Sequence, residues 1–159
     1  MTTRFATVAA MGALILALCH ATGVKADTAA GPAFDAALAR AVGADERGMR
    51  GYVLVLLRTG PTRVPDGKER DEMFKGHFAN IARLAEEGRL AFAGPLDGLD
   101  GLRGLFVFAV PDIEAAKKYV ATDPVIMRGE MTAEYHDFYG SAALMLVNEA
   151  HKRIMAKRP

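Results

Sequence analysis

At 159 residues the chain suits one domain rather than two, and with 51% apolar residues it has the material for a core. Its 20 basic residues balance 19 acidic ones, which excludes the electrostatic footprint of a nucleic-acid binder. Its one cysteine, Cys19, excludes an internal disulfide.

Residues 1–26 read as an export signal. Arg4 gives a positive start, and Val8 to Leu18 is an apolar run of signal-peptide length. Val24-Lys25-Ala26 places small or aliphatic residues where a signal peptidase reads. The run is too short to be a permanent span, and Leu18 is too bulky for a lipoprotein site at Cys19. The expectation is cleavage before Asp27, a periplasmic or secreted location, and no stable membrane insertion afterwards. Cleavage removes Arg4 and Lys25 but none of the 19 acidic residues, leaving a formal charge of about −1. It also removes Cys19, so the exported form has no thiol nucleophile and no thiolate metal site. In an oxidising compartment its stability then rests on the core alone.

Residues 27–48 form a helical arm in this reading. Pro32 suits the first turn, Phe34, Leu38 and Ala41 share a face, and Gly43 stops the helix. The domain proper, residues 49–140, opens on the apolar β-prone run Tyr52 to Leu57. A helix follows over Arg70–Glu87, with Met73, His77, Ile81 and Leu84 on one stripe and Phe74, Phe78 and Ala85 beside it. Gly88 ends that helix. Leu90 to Ala93 is a short strand closed by Gly94-Pro95, and the Asp97-Gly98 and Asp100-Gly101 pairs turn the chain into the strand Leu105–Val110. Asp112 caps a second helix whose buried stripe is Ile113, Ala116 and Val120, and Asp123-Pro124 closes it. Thr132 to Tyr139 is the last strand. The order β-α-β-β-α-β predicts an α+β split-βαβ sandwich, with both helices on one face of an antiparallel sheet. Neither long strand alternates polar with apolar residues, so both faces need cover. A second copy of the sheet is the simplest cover, which predicts a homodimer. Residues 141–159 predict an amphipathic tail helix with Leu144, Val147, Ala150 and Ile154 on one face.

Chemistry has few places to sit. His77 lies on the inward stripe, where a polar ring needs a partner. Asp123 begins the turn after the second helix, on the same side of the sheet. A carboxylate that orients one ring nitrogen frees the other for general acid–base work. Each residue also has a plain structural reading, as a satisfied core histidine and as a helix cap. Gly94-Pro95 would bring backbone close to a ligand or simply make a tight turn. Tyr52 and His136 complete the expected pocket lining, with an exposed strand position the rival reading for His136. His77, Asp123 and His136 would offer two imidazoles and a carboxylate, but their spacing matches no local metal motif, so no metal and no cofactor is expected. The loop Arg58 to Gly67 is either a lid or a rigid spacer.

These pieces resemble the YCII-related family over roughly residues 49–140. The resemblance lies in Gly51 to Leu57, Gly76-His77-Phe78, Leu84 to Leu90, Ala93-Gly94-Pro95, Val110 to Tyr119 and Ala121-Thr122-Asp123-Pro124. It implies a ferredoxin-like subunit that pairs into a dimeric α+β barrel, and a His–Asp active pair at His77 and Asp123. Most of that family has no assigned reaction. Some relatives act on ring compounds, including dehydrochlorination of chlorinated hydroxyquinols, and the wider superfamily holds cofactor-free lactone isomerases and monooxygenases. The export signal, the Arg58–Gly67 loop and the terminal helices depart from the family pattern, so a cytosolic role is not carried over. The resulting expectation is a cofactor-independent enzyme, a lyase or isomerase, acting on a small and cyclic organic molecule. The alternative is a non-catalytic small-molecule-binding or structural dimeric module.

Overall fold

The two long apolar runs become the two central strands of a four-stranded antiparallel sheet, ordered β2-β3-β1-β4. They are β1 (Met49–Thr59) and β3 (Leu102–Phe108), flanked by β2 (Leu90–Pro95) and β4 (Met131–Ser141). The computed structural model describes residues 31–156, so the expected signal segment lies outside the described residues. Helices α2 (Lys68–Glu86), α3 (Ile113–Val120) and α4 (Pro124–Met127) complete a ferredoxin-like α+β fold.

Each long element is specified locally. Helix α2 carries Glu69 and Asp71 in its first turn, favourable at the positive end of the dipole. It ends where Gly88 takes φ of 67°, with Gly88 N–H bonded to Ala85 O and Arg89 N–H to Leu84 O, a pattern that glycine accommodates without strain. Asp112 caps α3 by accepting from Ala115 N–H at 2.7 Å. Asp123-Pro124 does not merely close that helix. Helix α3 ends at Val120, and Asp123 starts the separate helix α4, with Pro124 in its first turn.

The sheet has two unlike faces. On the first, Val53, Val55, Leu57, Phe106 and Phe108 pack with Met73, Leu84, Ala116, Val120 and Val125 from the helices. On the second, Tyr52, Val107, Ala109 and Ala91 are also buried. Part of their cover comes from within the chain: Leu144 and Met145 of its own C-terminal segment pack there. Tyr52 donates its hydroxyl to Ser141 O at 2.9 Å, and the Asn148 amide donates to Leu90 O at 2.7 Å. That segment is a 3₁₀ turn, Ala142–Leu146, leading into α5 (Val147–Ile154), rather than one continuous helix. Leu54, Leu56 and Leu105 remain only partly covered, and Phe92 is 39% exposed.

One terminal expectation changes, and the two readings of the loop narrow to one. The arm helix α1 (Ala36–Ala41) begins later than expected because Asp35, not Pro32, caps it through bonds from Ala37 and Leu38 N–H. Its anticipated apolar face lies open, with Phe34 and Leu38 both exposed. The loop after β1 is pinned: Gly60 N–H bonds to Glu130 O at 2.8 Å and Thr62 N–H to Gly129 O at 3.1 Å. Only glycine permits that approach, since a Cβ at Gly60 would lie 2.1 Å from Gly129 O. The spacer reading of the loop fits these bonds better than a lid.

Candidate active site

Residue 77 sits one helical turn beyond Met73, so its ring points with the α2 stripe toward the sheet and is 7% exposed. Its Nδ1 lies 2.9 Å from both carboxylate oxygens of Asp123, which is fully buried. The carboxylate also accepts from Val125 N–H at 3.1 Å, so one group caps α4 and orients the imidazole. A carboxylate accepts, so Nδ1 carries the hydrogen and the neutral ring leaves its lone pair on Nε2. Among the described residues Nε2 has no hydrogen-bonding partner, and the ring lines a cavity of about 470 Å³. That nitrogen is the group presented to whatever occupies the cavity.

The approach of the two helices makes this pair possible. Gly76 faces the ring of Pro124, and a Cβ on it would lie 3.0 Å from Pro124 Cγ. The residues flanking His77 and Asp123 in sequence thus set the distance between them. Phe74, Phe78 and Phe106 surround the imidazole, with ring centroids 6.1, 5.3 and 6.0 Å away. Gly94 and Pro95 form part of the opposite wall with Leu96.

Of the six residues expected at one site, four come together: His77, Asp123, Gly94 and Pro95. Tyr52 and His136 do not join them. Pairing of Leu54 with His136 and of Tyr52 with Phe138 puts these side chains on the second face of the sheet, away from the helices. Tyr52 stacks on Phe138 at 6.0 Å, and burial pushes its phenol above its ordinary value against the opposing effect of Arg50. His136 is exposed, and its Nε2 lies 2.8 Å from Glu134, which also pairs with Arg58 at 2.8 Å. A metal held by His77, Asp123 and His136 is therefore excluded by the sheet between them. Among the described residues no group of three or more His, Asp or Glu side chains converges as a metal site. A larger depression of about 660 Å³ near Arg50, Tyr52 and Tyr139 is shallow and holds no comparable oriented pair.

Three charged residues were not singled out by the sequence. Glu130 is almost fully buried and accepts from Arg70 at 2.8 Å and from Val64 N–H at 2.8 Å, with Arg103 at 3.7 Å. Burial works against its ionisation, but the Val64 N–H, Arg70 and Arg103 outweigh this and hold the carboxyl below its ordinary value. Arg103 also lines the His77 cavity. These residues come from α2, β3 and the bend just before β4, and no local motif joins them.

Comparison with curated proteins gave no match. Residues 51–138, more than half of the chain, match the YCII-related domain. With the ferredoxin-like sheet and its helix-face pair in place, the chain belongs to the YCII-related domain family.

Proposed function

We propose that this protein is an exported, cofactor-independent enzyme that moves a proton on a small cyclic organic molecule, with His77 as base and acid and Asp123 as its orienter. The observation that carries this reading is the orientation of one imidazole: Nδ1 held at 2.9 Å by a buried carboxylate, Nε2 left to an aromatic-walled cavity. In the forward step Nε2 takes a proton from carbon, and the C–H electron pair forms a new double bond. In an elimination a leaving group departs with its bonding pair. In an isomerisation the imidazolium returns the proton to another carbon. Phe74, Phe78 and Phe106 supply the apolar surroundings suited to a ring.

Deuterium exchange tests the proton transfer whichever of the two reactions follows it. Cyclic carbon acids such as lactones and enones are incubated with the protein in deuterated water, and incorporation is followed by NMR. Exchange by the native protein that vanishes in His77→Ala and Asp123→Asn supports the proposal. Exchange equal in all three overturns it.

The reading includes a homodimer through the second sheet face, supported by the partly uncovered strip of Leu54, Leu56, Leu105 and Phe92. Leu54 lies on that face whereas Val53 faces the helices, so Leu54→Lys is the informative change. It should convert a dimer to a monomer by light scattering, and a native protein already monomeric at micromolar concentration refutes this part. Export predicts Asp27 as the first residue of the protein recovered from the periplasm of a Gram-negative host.

A further inference from the structure

We propose that Arg103 is the anion anchor of the His77 cavity, and that the cavity takes a flat, apolar-bodied monocarboxylate. The inference rests on the proton-transfer reading of that cavity and adds the class of molecule it accepts. Among the described residues the lining carries two side chains with N–H groups, His77 and Arg103; the rest are aliphatic, aromatic, methionine, glycine or proline. A ligand with one charged end and one apolar body matches such a wall.

Arg103 is not committed elsewhere. Glu130 is the carboxylate nearest to it, and its oxygens are already engaged: Oε1 by Arg70 at 2.8 Å and Oε2 by Val64 N–H at 2.8 Å. Arg103 stands 3.7 Å from Oε1, close enough for attraction and too far for a hydrogen bond. Arg70 also pairs with Asp66 at 3.4 Å, which Arg63 holds at 3.0 Å, so three guanidinium groups share two carboxylates and the cluster keeps one excess positive charge, with Arg103 its least engaged member. The Arg103 side chain is only 26% exposed, and among the described residues it makes no hydrogen bond. Its nitrogens are not sealed from solvent, so its donors remain available, and a planar carboxylate satisfies two of them at once. One excess charge and one guanidinium suit a monoanion; a phosphate dianion would call for further donors that the apolar lining does not offer. Phe74, Phe78 and Phe106 then take the flat body.

Calorimetric titration with 2-naphthoate and its neutral isostere 2-naphthamide tests this directly. Native protein should prefer the acid by about tenfold or more, the advantage of a charge-assisted paired bond, and the preference should shrink as salt is raised. Arg103→Gln should bring naphthoate down to the affinity of naphthamide, while naphthamide binding stays unchanged. Should Arg103→Gln fail to fold, Arg103→Lys replaces it, with an intermediate preference because an ammonium cannot make the paired bonds. Binding of neither probe by the native protein, equal binding of both, or a preference that survives Arg103→Gln overturns the proposal. His77→Gln separates the two readings. If it exchanges deuterium like the native protein, the proton-transfer reading fails while the anchor stands. If exchange is lost there but the acid preference is absent in the native protein, the anchor fails alone.

Discussion

The two faces of the sheet each carry a histidine beside a carboxylate, and the two pairs differ in everything but chemistry. On the helix face His77 meets a buried Asp123 that also caps α4, in a setting shielded from bulk solvent. On the other face His136 meets Glu134, which is shared with Arg58, and each side chain is more than 40% exposed. A buried pair is fixed in geometry and tautomer because its alternatives cost several kcal/mol of unmet polar groups. An exposed pair is one arrangement among many that solvent tolerates, worth about 0–1 kcal/mol. The same residue types therefore make an oriented imidazole on one side and a solvated charge cluster on the other.

The sharpest way to break this comparison is Asp123→Asn against His136→Ala. The Asn carbonyl can still accept from Val125 N–H, but its NH₂ then faces His77 Nδ1 and turns the ring to the tautomer with hydrogen on Nε2. The cavity would meet a donor in place of a base. Deuterium exchange should fall by roughly 10³–10⁴-fold with melting nearly unchanged, whereas His136→Ala should leave exchange intact. Equal losses in both variants would dissolve the distinction between the faces.

Next in size is the contrast between Glu130 and Glu134. Glu130→Ala leaves the Val64 N–H and the Arg70 Nη2 without their buried partner and should cost about 3 kcal/mol by chemical denaturation. Glu134→Ala, losing an exposed pair, should cost less than about 1 kcal/mol and become harder to detect in high salt. The same contrast has a pH signature. Because folding lowers the Glu130 carboxyl below its ordinary 4.5, its contribution is complete above that value and is lost as pH falls through the lower folded value. The acid limb of a stability–pH curve should therefore flatten in Glu130→Gln; superimposable curves would remove Glu130 from the account.

The smallest expected effect tests how the pair is spaced. Gly76→Ala gains about 1 kcal/mol of helix propensity and offsets it by pushing on Pro124, so net stability should change by less than about 1 kcal/mol. A shift of a few tenths of an ångström between Asp123 and His77 should still lower exchange by about tenfold. A variant as active as the native protein would mean that the Gly76–Pro124 contact does not set the pair.

The helix-face pair was legible in the sequence because each member sits in a local pattern, His77 on a 3.6-residue stripe and Asp123 before a proline. The order of strands and helices was legible for the same reason. Tyr52 falls outside the site it was expected to line because Tyr52 to Leu57 is apolar throughout, and a strand without alternation does not announce which face a given residue takes. Only the pairing of Tyr52 with Phe138 and Leu54 with His136 decides it. The cover on the second face was missed in part because a short 3₁₀ turn, not a helix stripe, brings Leu144 and Met145 over Tyr52. The Arg70–Glu130–Arg103 cluster had no signal at all. Its members lie far apart along the chain, and buried charges read like any surface charge until the fold joins them.

The double duty of Asp123 has a consequence for how such a domain changes over generations. Its capping role requires only a side-chain oxygen, which asparagine also supplies, while its role toward His77 requires a carboxylate. A single base change in the codon separates the two amino acids. On the proposed proton-transfer reading, lineages carrying this arrangement can thus shed the reaction without passing through an unfolded ancestor, keeping the cavity as an inherited receptor, and can regain it by the reverse step.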